Sequence, residues 1–161
     1  MAEENDLQIG DIAPDFTVKD SNGDTICLSD LNSKGMCVVL YFYPKDSTPG
    51  CTVQACDFRD NMQRLVANNV VVLGVSKDSE KSHQNFIEKQ SLNFSLLMDE
   101  DLELHNKYSV WREKMNYGKT YMGTSRSTFI ILPDGKLKYA KYNVKAKGHV
   151  ERIIEELNIE D

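Results

Sequence analysis

The chain has 161 residues, of which 40% are hydrophobic, and its formal net charge at pH 7 is −6. This length predicts one domain over residues 1–161, with a core that needs no structural disulfide. The acidic balance and the lack of a cluster of Lys and Arg argue against a nucleic-acid partner.

The N-terminus and the apolar runs predict a cytoplasmic protein. Residues 1–6 are acidic and resemble neither a secretory signal nor an arginine-rich transit peptide. The longest apolar run, Met36 to Tyr43, has eight residues, against the roughly 20 that a membrane helix needs. We therefore expect a soluble protein that does not bind membranes, with residues 1–8 as a polar tail.

Predicted strands and helices alternate in the first two thirds of the chain. The Asn22-Gly23 pair between extended segments predicts a β-hairpin within residues 15–28. The apolar run at residues 36–43 predicts a strand buried on both faces, as in a central parallel sheet. The further predicted elements are a helix that begins after Thr48 and runs to about Asn68, a strand at Val70–Ser76, a helix from about Ser79 to Gln90, a strand at Phe94–Met98 and a weaker helix at Asp101–Tyr108.

The last third of the chain predicts a second hairpin and a closing helix. The turn sequence of residues 133–136, Pro-Asp-Gly-Lys, separates strand-like segments at 127–132 and 137–144. A helix from about Lys147 has one apolar face. This alternation predicts a three-layer α/β domain with a mixed central sheet and helices on both faces. The apolar face of the last helix consists of Val150, Ile153, Ile154 and Leu157.

The strongest chemical signal is a cysteine at the start of the helix after Thr48. Thr48 is a typical N-cap and Pro49 suits the first helical position, so Cys51 is the third residue of the helix. Cys51 therefore lies where a capping side chain accepts a backbone hydrogen bond, which favours the thiolate. It also lies on the predicted core-facing stripe. The other members of the stripe are Ala55, Phe58, Met62 and Leu65.

Acidity alone does not make such a cysteine fast. Cysteines at helix N-termini commonly have thiol pKa values of about 3.5–7.5 instead of about 8.5. Because nucleophilicity falls together with basicity, the net gain in rate is about a few-fold. A fast site therefore needs further groups that orient the target and stabilise the leaving atom.

Cys56 follows five residues after Cys51. On an intact helix it lies about 140° around and about 7.5 Å along the axis, on a line that faces solvent more than core. Disulfides require Cα atoms closer than about 7 Å. A bond between Cys51 and Cys56 would therefore require the first turns of the helix to unwind.

Other chemically interesting residues have plainer interpretations. The C-x4-C spacing and the wide separation of the three histidines argue against a metal site. Cys27 and Cys37 lie in strand-like apolar runs and are predicted core residues, and His83 is predicted to be structural. By position alone Arg126 would be a surface residue. In the stretch Trp111 to Met122, which is read as irregular, Trp111 and Tyr117 are predicted to pack against the protein.

Residues 43–56 resemble a known motif. Pro44, Thr48 and Cys51 form a P-x3-T-x2-C frame that is similar to the peroxidatic-cysteine motif of peroxiredoxins. With Cys56 followed by the Asp-Phe-Arg-Asp of residues 57–60, the segment most resembles the bacterioferritin-comigratory, or peroxiredoxin Q, subfamily. The similarity continues through residues 118–123 and 126–131, and it covers nearly the whole chain.

The resemblance implies a thioredoxin-like fold elaborated at its N-terminus by the β-hairpin. It also implies thiol-dependent reduction of hydrogen peroxide and organic hydroperoxides, in antioxidant defence and without a cofactor. Cys51 would attack the peroxide and become a sulfenic acid, Thr48 would hydrogen-bond the substrate and the thiolate, and Pro44 would shield the pocket. Arg126 would then be a catalytic cation that lowers the thiol pKa and holds the peroxide oxygens.

The resemblance further implies how the cycle closes. Cys56 would be the resolving cysteine of an intrachain disulfide, which thioredoxin or a similar dithiol protein then reduces. The subfamily pattern suggests a monomer or a weak homodimer. Gln54 departs from the pattern, since glutamate is common at this position. The electrostatic contact that an acid would make with Arg126 is therefore lost or changed.

Two other functions remain open at this point. The same thiolate could act on protein disulfides, although oxidoreductases of that kind usually have a C-x-x-C pair. Alternatively, the chain could be a redox-sensing module whose oxidation alters binding without turnover. Steady-state peroxide consumption with a reductant separates the peroxidase from the sensing module.

Overall fold

A computed structural model of the chain describes residues 6–159. Part of the predicted polar tail, residues 1–5, lies outside this range. The elements are β1 (Thr17–Lys19), β2 (Thr25–Cys27), α1 (Leu28–Ser33), β3 (Cys37–Phe42), α2 (Pro49–Ala67), β4 (Val70–Ser76), α3 (Glu80–Gln90), β5 (Ser95–Met98), α4 (Glu103–Lys107), β6 (Trp111–Asn116), β7 (Lys119–Thr124), β8 (Ser127–Ile131), β9 (Leu137–Lys141) and α5 (His149–Glu156).

The central sheet is mixed, as the sequence predicts. Its five strands lie in the order β5-β4-β3-β8-β9. Strands β3, β4 and β5 are parallel to one another, whereas β8 and β9 pair in an antiparallel manner. The long apolar run therefore becomes the middle strand, which explains why its residues 38–42 are all buried. The predicted N-terminal hairpin is also confirmed, because β1 and β2 pair antiparallel outside this sheet.

Helices cover both faces of the sheet. Because successive strand residues point to opposite faces, Tyr41 of β3 packs with α2, α3 and α5, while Phe42 packs with α1 and α4. Phe58 and Ile153 belong to the first core cluster and Leu28 to the second. Cys51 lies in the first cluster, so it belongs to the hydrophobic core beneath α2. No helix in residues 6–159 is long and apolar enough to cross a membrane.

The stretch predicted to be irregular is instead a β-hairpin. Strands β6 and β7 pair antiparallel from Trp111 and Thr124 to Asn116 and Lys119. The turn between them has positive φ at Tyr117 (51°) and Gly118 (76°), as two-residue hairpin turns require. This hairpin lies outside the central sheet and is mostly exposed, so it lacks the apolar alternation that predicts a strand. Tyr117 is 98% exposed, and its predicted packing role is wrong. Trp111 does pack, edge-on against the ring of His105.

Candidate active site

The candidate site lies where β3 ends and α2 begins. The connecting loop contains Pro44, half-buried in a bend, and Thr48, which occupies the N-cap position of α2. Cys51 is the third helical residue and only 2% exposed. The predicted buried stripe of α2 is therefore confirmed along its whole length. The sulfur therefore belongs to the first helical turn, whose backbone N–H groups lack intrahelical acceptors.

Thr48 differs from its expected behaviour in one respect. Its backbone carbonyl accepts the first helical hydrogen bond, from the Thr52 N–H at 2.8 Å. Its hydroxyl, however, donates to the carbonyl of Lys45 at 3.0 Å and caps no helical N–H. The side-chain cap predicted for Thr48 is thus absent. Within residues 6–159 no hydrogen bond joins this hydroxyl to the Cys51 sulfur.

Arg126 reaches the cysteine from the segment between β7 and β8. Its Nη2 donates to Cys51 Sγ at 3.3 Å, and its Nη1 donates to Gln54 Oε1 at 2.6 Å. The side chain is half-buried, so the position-based expectation of a surface residue is wrong. A Cβ at Gly50 would lie 3.4 Å from Arg126 Nη2. The small residue at this position therefore leaves room for the guanidinium against the first turn.

The surroundings of Arg126 are rich in positive charge. Lys114 Nζ donates to the Thr124 carbonyl at 2.9 Å, and burial, followed by the charge of Arg126, lowers the pKa of this lysine. Burial and then Arg126 and Lys141 lower the pKa of His149 to about 4, so His149 is neutral at pH 7. Sequence reasoning missed Lys114 because it lies in the stretch read as irregular. The available signal for this hairpin was the Tyr117-Gly118 pair, which lies between two segments of equal length.

A buried network holds the loop that precedes α2. Asp46 Oδ1 accepts from the Tyr43 hydroxyl at 2.6 Å, and Asp46 Oδ2 lies 2.7 Å from His83 Nδ1. The Asp46 backbone N–H donates to Asp78 Oδ2 at 2.8 Å. Three potential metal ligands, Asp46, Asp78 and His83, thus come together. Because these groups already bond one another, the cluster is explained as a structural anchor.

The protonation of His83 follows from its two partners. Its Nε2 lies 3.0 Å from the carbonyl of Leu97, which is only an acceptor, so Nε2 carries a proton. Its Nδ1 lies 2.7 Å from Asp46 Oδ2, so both ring nitrogens have a hydrogen-bond partner. His83 is fully buried, which confirms its predicted structural role. Sequence reasoning did not foresee its partner, since Asp46 is 37 residues away.

Cys56 contacts a different part of the protein from Cys51. Its half-buried thiol donates to Gln90 Oε1 at 3.5 Å, at the end of α3. Arg59 Nη1 holds the same residue by donating to the Gln90 carbonyl at 2.7 Å. The predicted solvent-facing line of α2 is therefore partly covered by α3. Both cysteines are free thiols on one unbroken helix.

The remaining cysteines are less buried than predicted. Cys27 and Cys37 are both of intermediate exposure, although Cys37 packs against the core. Burial raises the pKa of Cys37 to about 11. Hydrogen bonds from Ser29 and Thr17 lower the pKa of Cys27. Neither cysteine has a cation such as Arg126 hydrogen-bonded to its sulfur within the described residues.

The geometry suits attack by a thiolate on a small, polar electrophile. A nearly buried sulfur has one guanidinium N–H directed at it and lies over the first turn of a helix. Both features stabilise negative charge that develops on or next to the sulfur. Of the five residues predicted to form the site, Cys51 and Arg126 are in direct contact, and Thr48 and Pro44 lie in the adjoining loop. Cys56 lies apart, against α3.

Comparisons with known proteins identify the family to which the chain belongs. Residues 9–140 match the AhpC/TSA family. The chain is 50% identical to a putative peroxiredoxin bcp of Helicobacter pylori over 94% of this chain and 98% of that protein. It is 46% identical to the peroxiredoxin Bcp of Bacillus subtilis, over 94% of this chain and 95% of the relative.

Solved structures give the same result. A bacterioferritin comigratory protein of Xanthomonas campestris, studied for alkyl peroxide reduction, superposes with a TM-score of 0.85 at 38% identity, over 94% of this chain and 96% of that one. A C47S mutant of PrxQ from Xylella fastidiosa gives a TM-score of 0.87 at 36% identity, with the same coverage of 94% and 96%. These neighbours confirm the thioredoxin-like peroxiredoxin fold. The chain therefore belongs to the AhpC/TSA family, as a peroxiredoxin of the Bcp, or peroxiredoxin Q, type and hence a thiol peroxidase.

Proposed function

We propose that this chain reduces hydrogen peroxide and organic hydroperoxides with Cys51 as the attacking thiolate. The observation that carries the proposal is the 3.3 Å contact from Arg126 Nη2 to Cys51 Sγ at the first turn of α2. Cations and backbone N–H groups fixed next to a reacting atom stabilise the charge that develops during reaction. Among the described cysteines, Cys51 alone has such a cation hydrogen-bonded to its sulfur.

In the first step the Cys51 thiolate attacks one oxygen of the peroxide. The S–O bond forms as the O–O bond breaks, and the leaving hydroxide or alkoxide takes a proton from solvent. Cys51 is left as a sulfenic acid. Arg126 would hold the peroxide oxygens next to the sulfur, Thr48 would turn its hydroxyl from Lys45 to the substrate, and Pro44 would shield the sulfur from water.

In the second step the Cys56 thiol attacks the Cys51 sulfenic acid. An S–S bond forms, and the sulfenic oxygen leaves as water. Because Cys56 is five residues further along an intact helix, the first turns of α2 must unwind and the contact with Gln90 must break. Thioredoxin or a similar dithiol protein would then return both cysteines to thiols by exchange, its own dithiol becoming a disulfide. We place this cycle in the cytoplasm, in a monomer or weak homodimer.

Mass spectrometry after one equivalent of peroxide tests the cycle. We expect a disulfide between Cys51 and Cys56 in the wild-type chain. Cys56→Ser should consume one equivalent and then stall unless an external thiol is added. Cys27→Ser is the matched control, and it should retain turnover with thioredoxin.

The decisive variant is Cys51→Ser. Sustained peroxidase turnover in this variant would refute the proposed role of Cys51. A chain that reduces the disulfides of insulin faster than it reduces peroxide would instead be a thiol–disulfide oxidoreductase. Steady-state consumption of peroxide in the presence of thioredoxin would rule out a sensing module without turnover.

A further inference from the structure

Gln54 is linked to Cys51 through the guanidinium of Arg126. It lies on α2 three residues after Cys51 and is fully buried. Its carbonyl oxygen accepts from Arg126 Nη1 at 2.6 Å, while Arg126 Nη2 donates to Cys51 Sγ at 3.3 Å. Because a guanidinium is a rigid planar fork, holding one terminal nitrogen fixes the direction of the other. The bond to Gln54 therefore aims Arg126 at the sulfur.

The Gln54 side chain orients Arg126 without neutralising it. An amide carries no charge, and within residues 6–159 no carboxylate forms an ion pair with Arg126. The charge of Arg126 instead acts on its neighbours, since it contributes to the lowered pKa values of Lys114 and His149. The full positive charge therefore remains available to a negative sulfur.

The amide also has a cost that a carboxylate would avoid. Gln54 Oε1 is assigned by its bond to Arg126, which leaves Nε2 buried without an acceptor among the described residues. A buried polar group without a partner destabilises the folded state, because it has lost its hydrogen bonds to water. A glutamate would remove this unpaired donor and add an ion pair with Arg126. The same ion pair would place a second negative charge next to the thiolate.

We infer that Gln54 is a positioning residue that aims Arg126 at Cys51 and, by being neutral, extends the reactivity of the thiolate to lower pH. The inference rests on the proposed function, in which Cys51 is the attacking group. Gln54 acts through Arg126 and does not itself touch the sulfur. Its neutrality and its acceptor oxygen make separate contributions, and two variants distinguish them.

The first variant is Gln54→Glu, read by the pH dependence of Cys51 alkylation with iodoacetamide. Peptide mapping distinguishes Cys51 from the other cysteines, and the assay requires no turnover. We expect the midpoint of alkylation to move to higher pH. If the proton affinity of the thiol rises about tenfold, the fraction of thiolate at pH values below the midpoint falls about tenfold. The pH profile of peroxide reduction should move by the same amount, and the rate should recover at high pH.

Gln63→Glu is the matched control, because it adds the same charge to the same helix at an exposed position. Its alkylation midpoint should equal that of the wild type. An unmoved midpoint in Gln54→Glu, or an equal displacement in both variants, would overturn the role of Gln54. Neither outcome affects the role of Cys51, which depends on turnover in Cys51→Ser.

The second variant is Gln54→Met, which removes the acceptor oxygen without adding charge. Arg126 then loses its fixed direction, so peroxide reduction should slow several-fold even at a pH where the thiol is fully ionised. In that range Gln54→Glu should remain close to the wild type. Equal rates for Gln54→Met and the wild type at high pH would show that Gln54 does not position Arg126.

Discussion

The two cysteines of α2 lie in opposite kinds of environment. Cys51 is buried in the hydrophobic core beneath α2 and is hydrogen-bonded to the guanidinium of Arg126. Cys56 is half-buried and donates its proton to a neutral amide oxygen at 3.5 Å. The Cys51 sulfur thus accepts a hydrogen bond from a charged group, whereas the Cys56 thiol donates one to an uncharged group. One helix therefore carries a sulfur bound to a cation and, five residues later, a thiol bound to a neutral amide. In the proposed cycle the first sulfur attacks the peroxide and the second must first be released.

The first test disrupts the buried network of Asp46 and His83, which holds the loop before Cys51. His83→Leu leaves the Asp46 carboxylate buried without its nitrogen partner, and we expect the free energy of unfolding in urea to fall by about 3–5 kcal/mol. Adding Asp46→Asn should restore part of the loss, because the uncompensated charge is then gone. Ser82→Ala removes one hydroxyl bond to the same carboxylate and should cost about 1 kcal/mol. Equal losses of stability in His83→Leu and in the double variant would contradict the expected penalty for a buried carboxylate without its partner.

The second test removes the cation from Cys51. Arg126→Gln deletes the charge next to the sulfur, and we expect the second-order rate of peroxide reduction to fall about 10²–10³-fold, as for other fixed groups that stabilise developing charge. Stopped-flow measurement of the first turnover isolates this step from resolution. Arg152→Gln, at an exposed arginine of α5, is the control and should react at the wild-type rate. Similar rates for the two variants would remove the proposed distinction between the cysteine environments.

The comparison of the two cysteines also shows which features could be predicted from the sequence. The run at 36–43 and the stripe of α2 predicted the central strand and the burial of Cys51, because both patterns are local. The pairing of Arg126 with Cys51 spans 75 residues, and only the resemblance to a known family predicted it. The spacing of residues within a motif gives no information on contacts between residues so far apart in the sequence.

Other features were beyond prediction for different physical reasons. The β6–β7 hairpin lies outside the core, so its side chains need no apolar alternation and the segment was misread. Asp46 and His83 come together only when α3 packs beside the loop before α2. The sequence marks Gln54 as unusual for the family it resembles, but the effect of this residue depends on which atom of Arg126 it binds. In each case the missing information is tertiary packing.

The third test measures how far the charge of Arg126 extends. The pKa of His149 is lowered to about 4 by burial and then by Arg126 and Lys141. Between about pH 6.5 and 4 the unfolded chain therefore binds a proton at this residue and the folded chain does not, so stability falls as pH decreases through that range. His149→Gln should reduce this loss by about 3 kcal/mol at pH 4. An NMR titration should also show a higher pKa for His149 in Arg126→Gln, and an unchanged value would contradict the long reach of this charge.

The smallest expected effect concerns the release of Cys56. Gln90→Ala removes the acceptor of the Cys56 thiol while leaving the backbone carbonyl that binds Arg59. A hydrogen bond worth about 0.5–1 kcal/mol slows the release of Cys56 from Gln90 by about two- to five-fold. Disulfide formation after oxidation should therefore accelerate by that factor, with the rate of the first step unchanged. Lys89→Ala, at the exposed neighbouring position on α3, controls for a general loosening of the helix end. If both variants form the disulfide at the wild-type rate, then unwinding of α2 itself, and not the contact with α3, limits the release of Cys56.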